Sequence, residues 1–342
     1  GSSLRGMLRT LMEIATSSKV QPVTDEKLVY RAVADTSSLG EGYRRKLLEP
    51  LGSQKYGFRM KAGYMRKRGR GWRIVPAQPI NGESFARIEQ SHIPNGLQRW
   101  HQSRNASICF VDVAPVRDHS HNKGRVKLRY AKVRSASGTP GSGRDKAVVV
   151  RTGWIPRKHM EFVFGPPEEE KTLTVGEDVI ATYREQVTDK QKELLGDSGA
   201  LRDWQPVFYL EEDDTVVFFG HAMMFRLPYD NTPEDCVPDT LHEAEQTDLT
   251  EAVFGYVDED AEERPVHRAG RLSVSDAKLE PGEGTVWLSK EPIVPRILAS
   301  PKPTTFQHYL VQAETRKKQL RHYSSPTPKE TVIRGHKLYW HK

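Results

Sequence analysis

Arginine and lysine in this chain gather beside hydroxyl, glycine and aromatic residues, a combination suited to holding phosphate. Gly1, Ser2 and Ser3 precede an apolar-periodic run in which Arg5 and Arg9 stand four residues apart. Exposed amides at a helix start, with guanidiniums one and two turns on, can bind a phosphate group. The same spacing also fits an ordinary capped helix with solvated arginines. Arg66, Lys67, Arg68 and Arg70 surround Gly69, interleaved with Tyr56, Phe58, Tyr64 and Trp72. Rings of that kind stack on bases while the cations meet phosphates. Arg125, Lys127 and Arg129 alternate with Val126, Leu128 and Tyr130, and Arg157-Lys158 form a further basic pair. Lys302, Arg334 and Lys337 stand among small, hydroxyl and aromatic residues near the end. His119 and His121 have a spacing that can catch a metal, but in a polar segment they read as part of a turn. No P-loop, nucleophile elbow, Cys–His pair or metal-ligand set is present, so neither a metal nor a cofactor is expected, and no catalytic residue can be named.

These residues need elements to present them. Leu4, Met7, Leu8, Leu11, Ile14 and Ala15 recur at helical spacing, which predicts a helix over 1–16 with Ser2 or Ser3 as its N-cap. A short strand at 28–33 and a helix over 41–51 follow. Alternation over 56–65 predicts one arm of a hairpin, 66–71 its cationic turn, and 72–75 the return arm, stopped at Pro76. Residues 125–134 read as an amphipathic strand with one basic face, and 135–146 as a Gly/Ser/Pro linker before a buried strand at 147–155. Further on, 175–195 reads as an acidic helix. Residues 206–210 pair with 216–220 across an acidic turn, and 223–227 continue that sheet. A helix over 248–256 and an alternating strand at 271–277 complete the reading.

The 342 residues carry a formal net charge of +7, which conceals a strong segregation. Residues 1–160 hold 31 Lys and Arg against 11 Asp and Glu; residues 161–296 hold 12 against 32; residues 297–342 hold 9 against 2. Three parts follow: a basic part, an acidic β-rich part, and a basic C-terminal segment. The basic parts attract a polyanion, and the acidic part suits a protein neighbour or water. Cys109 and Cys236 are the only cysteines and lie far apart in sequence, so no disulfide framework is expected. No apolar run approaches the roughly 18 residues of a membrane span. A cytoplasmic protein with no membrane partner is the expectation.

Gly1-Ser2-Ser3-Leu4-Arg5-Gly6-Met7-Leu8-Arg9 resembles the glycine–serine loop and first helix of the RAMP superfamily, the RNA-binding backbone subunits of type III CRISPR effectors. Residues 152–164, 298–312 and 333–341 resemble further segments of one RAMP subgroup. The resemblance implies an α+β fold built on a ferredoxin-like (RRM-like) core, incomplete here, with large β-rich insertions. It implies CRISPR RNA, complementary target RNA and other effector subunits as partners, in antiviral defense. Position by position, Ser2, Ser3, Arg5 and Arg9 become candidate contacts to the guide backbone. Compared with the family the sequence looks cropped at both ends, and the glycine-rich C-terminal loop does not appear before Lys342.

Two other readings remain open. Family members often cut target RNA with an aspartate just upstream of the Gly-Ser-Ser turn, so an endoribonuclease acting on target or precursor RNA is one. That upstream stretch is missing here, and Asp35, Asp112 and Asp118 offer no ground for choosing among them. A single-strand RNA-binding module outside CRISPR systems is the other. A preference for repeat-derived guide RNA separates it from the first reading.

Overall fold

The apolar stripe of the first residues does fold as a helix, α1 (Ser2–Ala15). Its N-cap is Gly1, with no side-chain cap bond, so Ser2 and Ser3 lie inside the first turn rather than ahead of it. The computed structural model describes residues 1–20, 23–121, 124–242, 246–258, 266–280, 282, 287, 289, 291–292, 305–325 and 330–336. The chain is a mixed α+β protein, mostly sheet, and divides into two compact units. One is Val29–Tyr229; the other joins Gly1–Leu28 to Asp230–Lys342. These units do not follow the charge boundaries at 160/161 and 296/297. Charge sorts the surface, whereas the units follow strand pairing, and a strand runs straight through the first boundary.

The larger unit begins with β1 (Val29–Tyr30) and α2 (Ser38–Leu47), then β2 (Leu48–Gly52) and β3 (Lys55–Phe58). The helix expected to reach residue 51 stops four residues earlier, since residues 48–50 pair with residues 56–58. The hairpin strands are β4 (Lys61–Arg68) and β5 (Gly71–Pro76), so the turn is only Gly69-Arg70 and the cationic residues ride on strand ends. Then come β6 (Ala86–Glu89), β7 (Ala106–Val113), β8 (Arg117–His121), β9 (Val126–Ser137), β10 (Asp145–Val150) and β11 (Met160–Phe164). The expected turn at 118–122 is therefore a strand through His121, paired along β9. The expected linker is shortened from both sides by β9 and β10.

After β12 (Leu173–Val175), the expected single helix is two, α3 (Glu177–Glu185) and α4 (Asp189–Leu195). Thr188 and Gln191 form a capping box that starts α4 afresh and breaks the run. The second hairpin is β13 (Gln205–Glu212) and β14 (Thr215–Gly220), with Tyr209 opposite Phe219. Residues 223–226 do not extend it; a two-residue strand, β15 (Leu227–Pro228), pairs with β1 instead.

β4, β5, β12, β14 and β13 close into a five-stranded barrel. In chain order the strands neighbour one another first–second–third–fifth–fourth, with third and fifth parallel and the helices between third and fourth. That is the connectivity of an OB-type barrel, with β6 to β11 inserted between its second and third strands. The insertion makes its own ring: β9 pairs with β6, β6 with β11, β11 with β10, β10 with β7, and β7 returns to β9. Ala86, Ile88, Cys109, Val111, Ala131, Val133, Ala147, Val149 and Val163 form one buried cluster, contributed alternately by the five strands.

Register explains why β4 and β13 are buried on both faces. Gly63, Met65, Val207 and Gln205 share one face; Ala62, Tyr64, Pro206 and Phe208 share the other. On this second face Phe208 meets Phe85, Phe162 and Phe164 at 5.0–5.2 Å between ring centroids, all edge-on. Tyr64 adds Trp100 at 5.0 Å and donates its hydroxyl to the Gly165 carbonyl. Because β13 runs antiparallel to β4, with Tyr209 opposite Lys61, the acidic Asp213-Asp214 turn lies at the barrel end away from Gly69-Arg70.

The smaller unit contains α1, α5 (Leu249–Phe254) and the ribbon of β16 (Tyr256–Asp258) with β17 (Val266–Arg268). Lys19 forms an ion pair with Glu251 at 3.1 Å, and its backbone N–H donates to Asp248, so the capping box of α5 is pinned from outside. The strand expected at 271–277 does not form, and these residues have no ladder partner among the described residues. A four-stranded ferredoxin sheet is not found among the described residues of this unit.

Gly63 supplies the test of barrel packing. A Cβ there would lie 2.7 Å from Ile74 Cγ2 and 2.8 Å from the Val75 carbonyl oxygen. The second of these is backbone and cannot swing away, so Gly63→Ala should cost about 1–3 kcal/mol by overpacking. A lower urea midpoint, with faster amide exchange in β4, β5 and β13, is the expected result.

Candidate nucleic-acid interface

The cationic end of the barrel is built by the β4–β5 hairpin and by the loop that enters β13. Gly69, at φ +60°, takes the left-handed corner of the two-residue turn, which leaves Arg68 and Arg70 exposed. Lys67 and Arg66 lie further down β4, toward a cleft of about 980 Å³ whose wall includes Lys67, Trp72, His101, Arg184, Lys192 and Trp204.

Arg66 does not simply face water. Its guanidinium lies 3.8 Å from the centre of the Trp204 ring, and its Nε is 3.0 Å from Asp203 Oδ1. The His101 imidazole lies almost parallel to the Trp204 ring, 5.1 Å away at 11°. Both Trp204 and His101 have left-handed backbone, at φ +62° and +47°. A large side chain adopts that conformation only where its surroundings over-determine it. Here they do. Trp204 N–H donates to the Met65 carbonyl at 2.7 Å, and the Trp204 carbonyl accepts the indole N–H of buried Trp100 at 2.9 Å. Trp100 thus fixes both members of the ring pair, one through its indole and one as its chain neighbour. Partial burial holds the His101 imidazole below its usual pKa, with Asp203 opposing and Arg66 assisting.

The other basic positions are dispersed. Ser2 and Ser3 are exposed on α1. Arg5 donates to the Phe254 carbonyl and stands 5.4 Å from the Phe254 ring centre. Arg9 bonds Glu13 at 2.9 Å and the Gly255 carbonyl at 3.4 Å. The two guanidiniums therefore serve the C-terminal carbonyls of α5, an ordinary place for a cation.

Arg125, just ahead of β9, and Lys127 and Arg129 on it are exposed, while Tyr130 and Ala131 are both buried; the register shift in this strand lies further on, opposite Asp112 and Val113. Asp118 sits opposite Arg129 on β8 and pairs with Lys55 at 2.8 Å, so this face is of mixed charge. His119 stacks on Tyr130 at 4.0 Å and His121 Nε2 is 3.4 Å from the Tyr130 hydroxyl. Among the described residues no group of three or more His, Cys, Asp or Glu could hold a metal ion.

Arg157 is exposed at φ +62°. Lys158 is tied down, bonding Thr152 Oγ1 at 2.9 Å, the Gly153 carbonyl at 2.8 Å and Glu161 at 2.7 Å. It staples its loop rather than reaching into solvent. Arg334 is exposed, its N–H on the Tyr309 carbonyl. Lys302 and Lys337 lie outside the described residues.

Trp204, His101, Arg184 and Lys192 are not among the residues that charge and spacing single out in the sequence. Two loop tryptophans, Trp100 and Trp204, each beside a polar or charged residue, were the available signal. Their meeting depends on contacts about a hundred residues apart.

A second cavity, about 620 Å³, is lined by Arg31, Trp154, Tyr183, Phe218, Phe219 and His221 among others. Burial, with Arg31 and Lys158 nearby, pushes the His221 imidazole down to about 4. The Gln191 side-chain amide lies 3.2 Å from its Nδ1, a contact in which the neutral ring accepts.

A comparison with known protein families matches none of them, and a comparison with curated proteins returns no match. No helix among the described residues is long and apolar enough to cross a membrane.

The His221 environment carries a pH prediction. With the folded pKa depressed from the usual 6.5 to about 4, the folded chain takes up this proton less readily than the unfolded one. Its contribution to stability is complete above about pH 6.5 and is lost as the pH falls toward 4. Urea midpoints measured between pH 7 and pH 4 should fall, and His221→Gln should flatten that fall.

Proposed function

We propose that this chain grips single-stranded RNA through the cationic end of its OB-type barrel. The observation that carries the reading is the β4–β5 loop. In OB-type barrels the first inter-strand loop is one of those that contact oligonucleotides, and here it presents Lys67, Arg68 and Arg70 to solvent. The acidic β13–β14 turn at the far end of the barrel adds direction: a polyanion is drawn to one end and repelled from the other.

The finer reading is a guide-RNA-binding subunit of a type III-like CRISPR effector. Its support is the resemblance of residues 1–9, 152–164, 298–312 and 333–341 to the RAMP superfamily, together with the +20 charge of residues 1–160. A ferredoxin-like core, complementary target RNA and partner effector subunits belong to that same reading. Ser2, Ser3, Arg5 and Arg9 would then act chiefly by placing the first helix, since the arginines already hold α5 carbonyls. Gripping along the stretch of guide that pairs with target is independent of sequence, because phosphates are neutralised while bases stay available for pairing. Cleavage is left out of the proposal, since no catalytic residue emerges from the geometry.

Binding of a fluorescent single-stranded RNA as a function of salt tests the reading. The wild-type chain should lose affinity steeply as salt rises. Replacing Arg68 and Arg70 with Ala removes two phosphate contacts and should shallow the log–log slope by about 1.4, at roughly 0.7 per contact. An unchanged slope and affinity would overturn the assignment. Tighter binding of repeat-derived RNA than of an arbitrary sequence would favour the CRISPR reading over a general RNA-binding module.

A further inference from the structure

We infer that the cleft beside the hairpin is a nucleobase subsite, in which an unpaired RNA base stacks against the His101–Trp204 ring pair while Lys67, Arg184 and Lys192 hold the flanking phosphates. The inference rests on the RNA-binding reading and adds to it a contact made with a base rather than with the backbone.

Three independent observations meet at this place. First, the planar groups are already assembled: a guanidinium 3.8 Å from an indole centre, and an imidazole 5.1 Å from it and nearly parallel. Stacked aromatic and guanidinium planes are what single-strand readers offer to bases. His101 is exposed, so the set has an outer ring on which another can settle.

Second, two bulky residues in contact both have left-handed backbone. Such strained conformations cluster at ligand-holding sites. The hydrogen bonds from Trp204 to Met65 and from Trp100 to Trp204 hold the geometry. Third, the cleft charge is unbalanced. Two carboxylates line it, Asp203, which is occupied by Arg66 and by the Lys67 N–H, and the exposed Asp197, while Arg202 is occupied by the Leu195 carbonyl. Lys67, Arg184 and Lys192 line the cleft with exposed side chains, and none of them forms an ion pair among the described residues. A ring platform with free cations on its rim matches a nucleotide: one plane, one anion. The cleft's size, about 980 Å³, leaves room for a base with its flanking phosphates.

The test compares a single-stranded RNA with the same strand carrying abasic residues, using the full chain. Wild type should bind the base-bearing strand at least about fivefold tighter, from one stacked base. His101→Asn keeps a residue tolerant of left-handed backbone but removes the ring, so the preference should collapse while the salt slope stays. Lys67→Ala with Lys192→Ala should do the reverse, shallowing the slope and keeping the preference. Equal wild-type affinity for the two strands, or a preference unchanged in His101→Asn, would overturn the subsite and leave the RNA-binding reading standing. Absence of any RNA binding by wild type would overturn both.

Discussion

The aromatic wall between the OB-type barrel and the inserted ring is the contact on which the larger unit depends. Phe208 on one side meets Phe85, Phe162 and Phe164 on the other, and Tyr64 ties the same wall to Trp100. Edge-to-face pairs of this kind add about 0.5–1.5 kcal/mol each beyond the area they bury. Their larger consequence is positional. Trp100 is held by Tyr64, Trp204 is held by Trp100 and by β4, and Arg66 follows from the same strand. The candidate interface is thus the outer rim of a packed core, with little freedom of its own.

Charge is laid out along the barrel rather than spread around it. The hairpin end carries Lys67, Arg68 and Arg70; the opposite end carries the Asp213-Asp214 turn and, beside it, Lys61 paired with Glu211. A polyanion approaching this unit meets attraction at one end and repulsion at the other. The formal net charge of +7 says nothing of this, and register is what reveals it.

The pieces with short-range periodicity were legible in the sequence. Alternation found both hairpins and the basic strand β9, and helical spacing found α1. What failed did so for identifiable reasons. The helix over 175–195 breaks at Thr188 because a capping box forms, a signal readable from Thr188 and Gln191 but outweighed by helix-forming residues on both sides. Residues 271–277 alternate without finding a partner strand among the described residues, and alternation cannot supply one. The two units could not be seen at all, since one of them joins residues from both ends of the chain. Arg5 and Arg9 show the limit for sites: their spacing fits a phosphate, but carbonyl oxygens of α5 offer the same guanidiniums an equivalent partner. Trp204 shows the opposite limit, for its left-handed backbone is imposed by Met65 and Trp100, neither of them near it in sequence.

The central claim is that single-stranded RNA lies on the hairpin end of the barrel. Photocrosslinking of a 4-thiouridine-substituted strand to the full chain, with the crosslinked peptides mapped by mass spectrometry, asks this directly. The account predicts adducts within residues 66–72, 100–102 and 197–204. Adducts confined to the acidic end around residues 211–215, or found only outside residues 29–229, would contradict it.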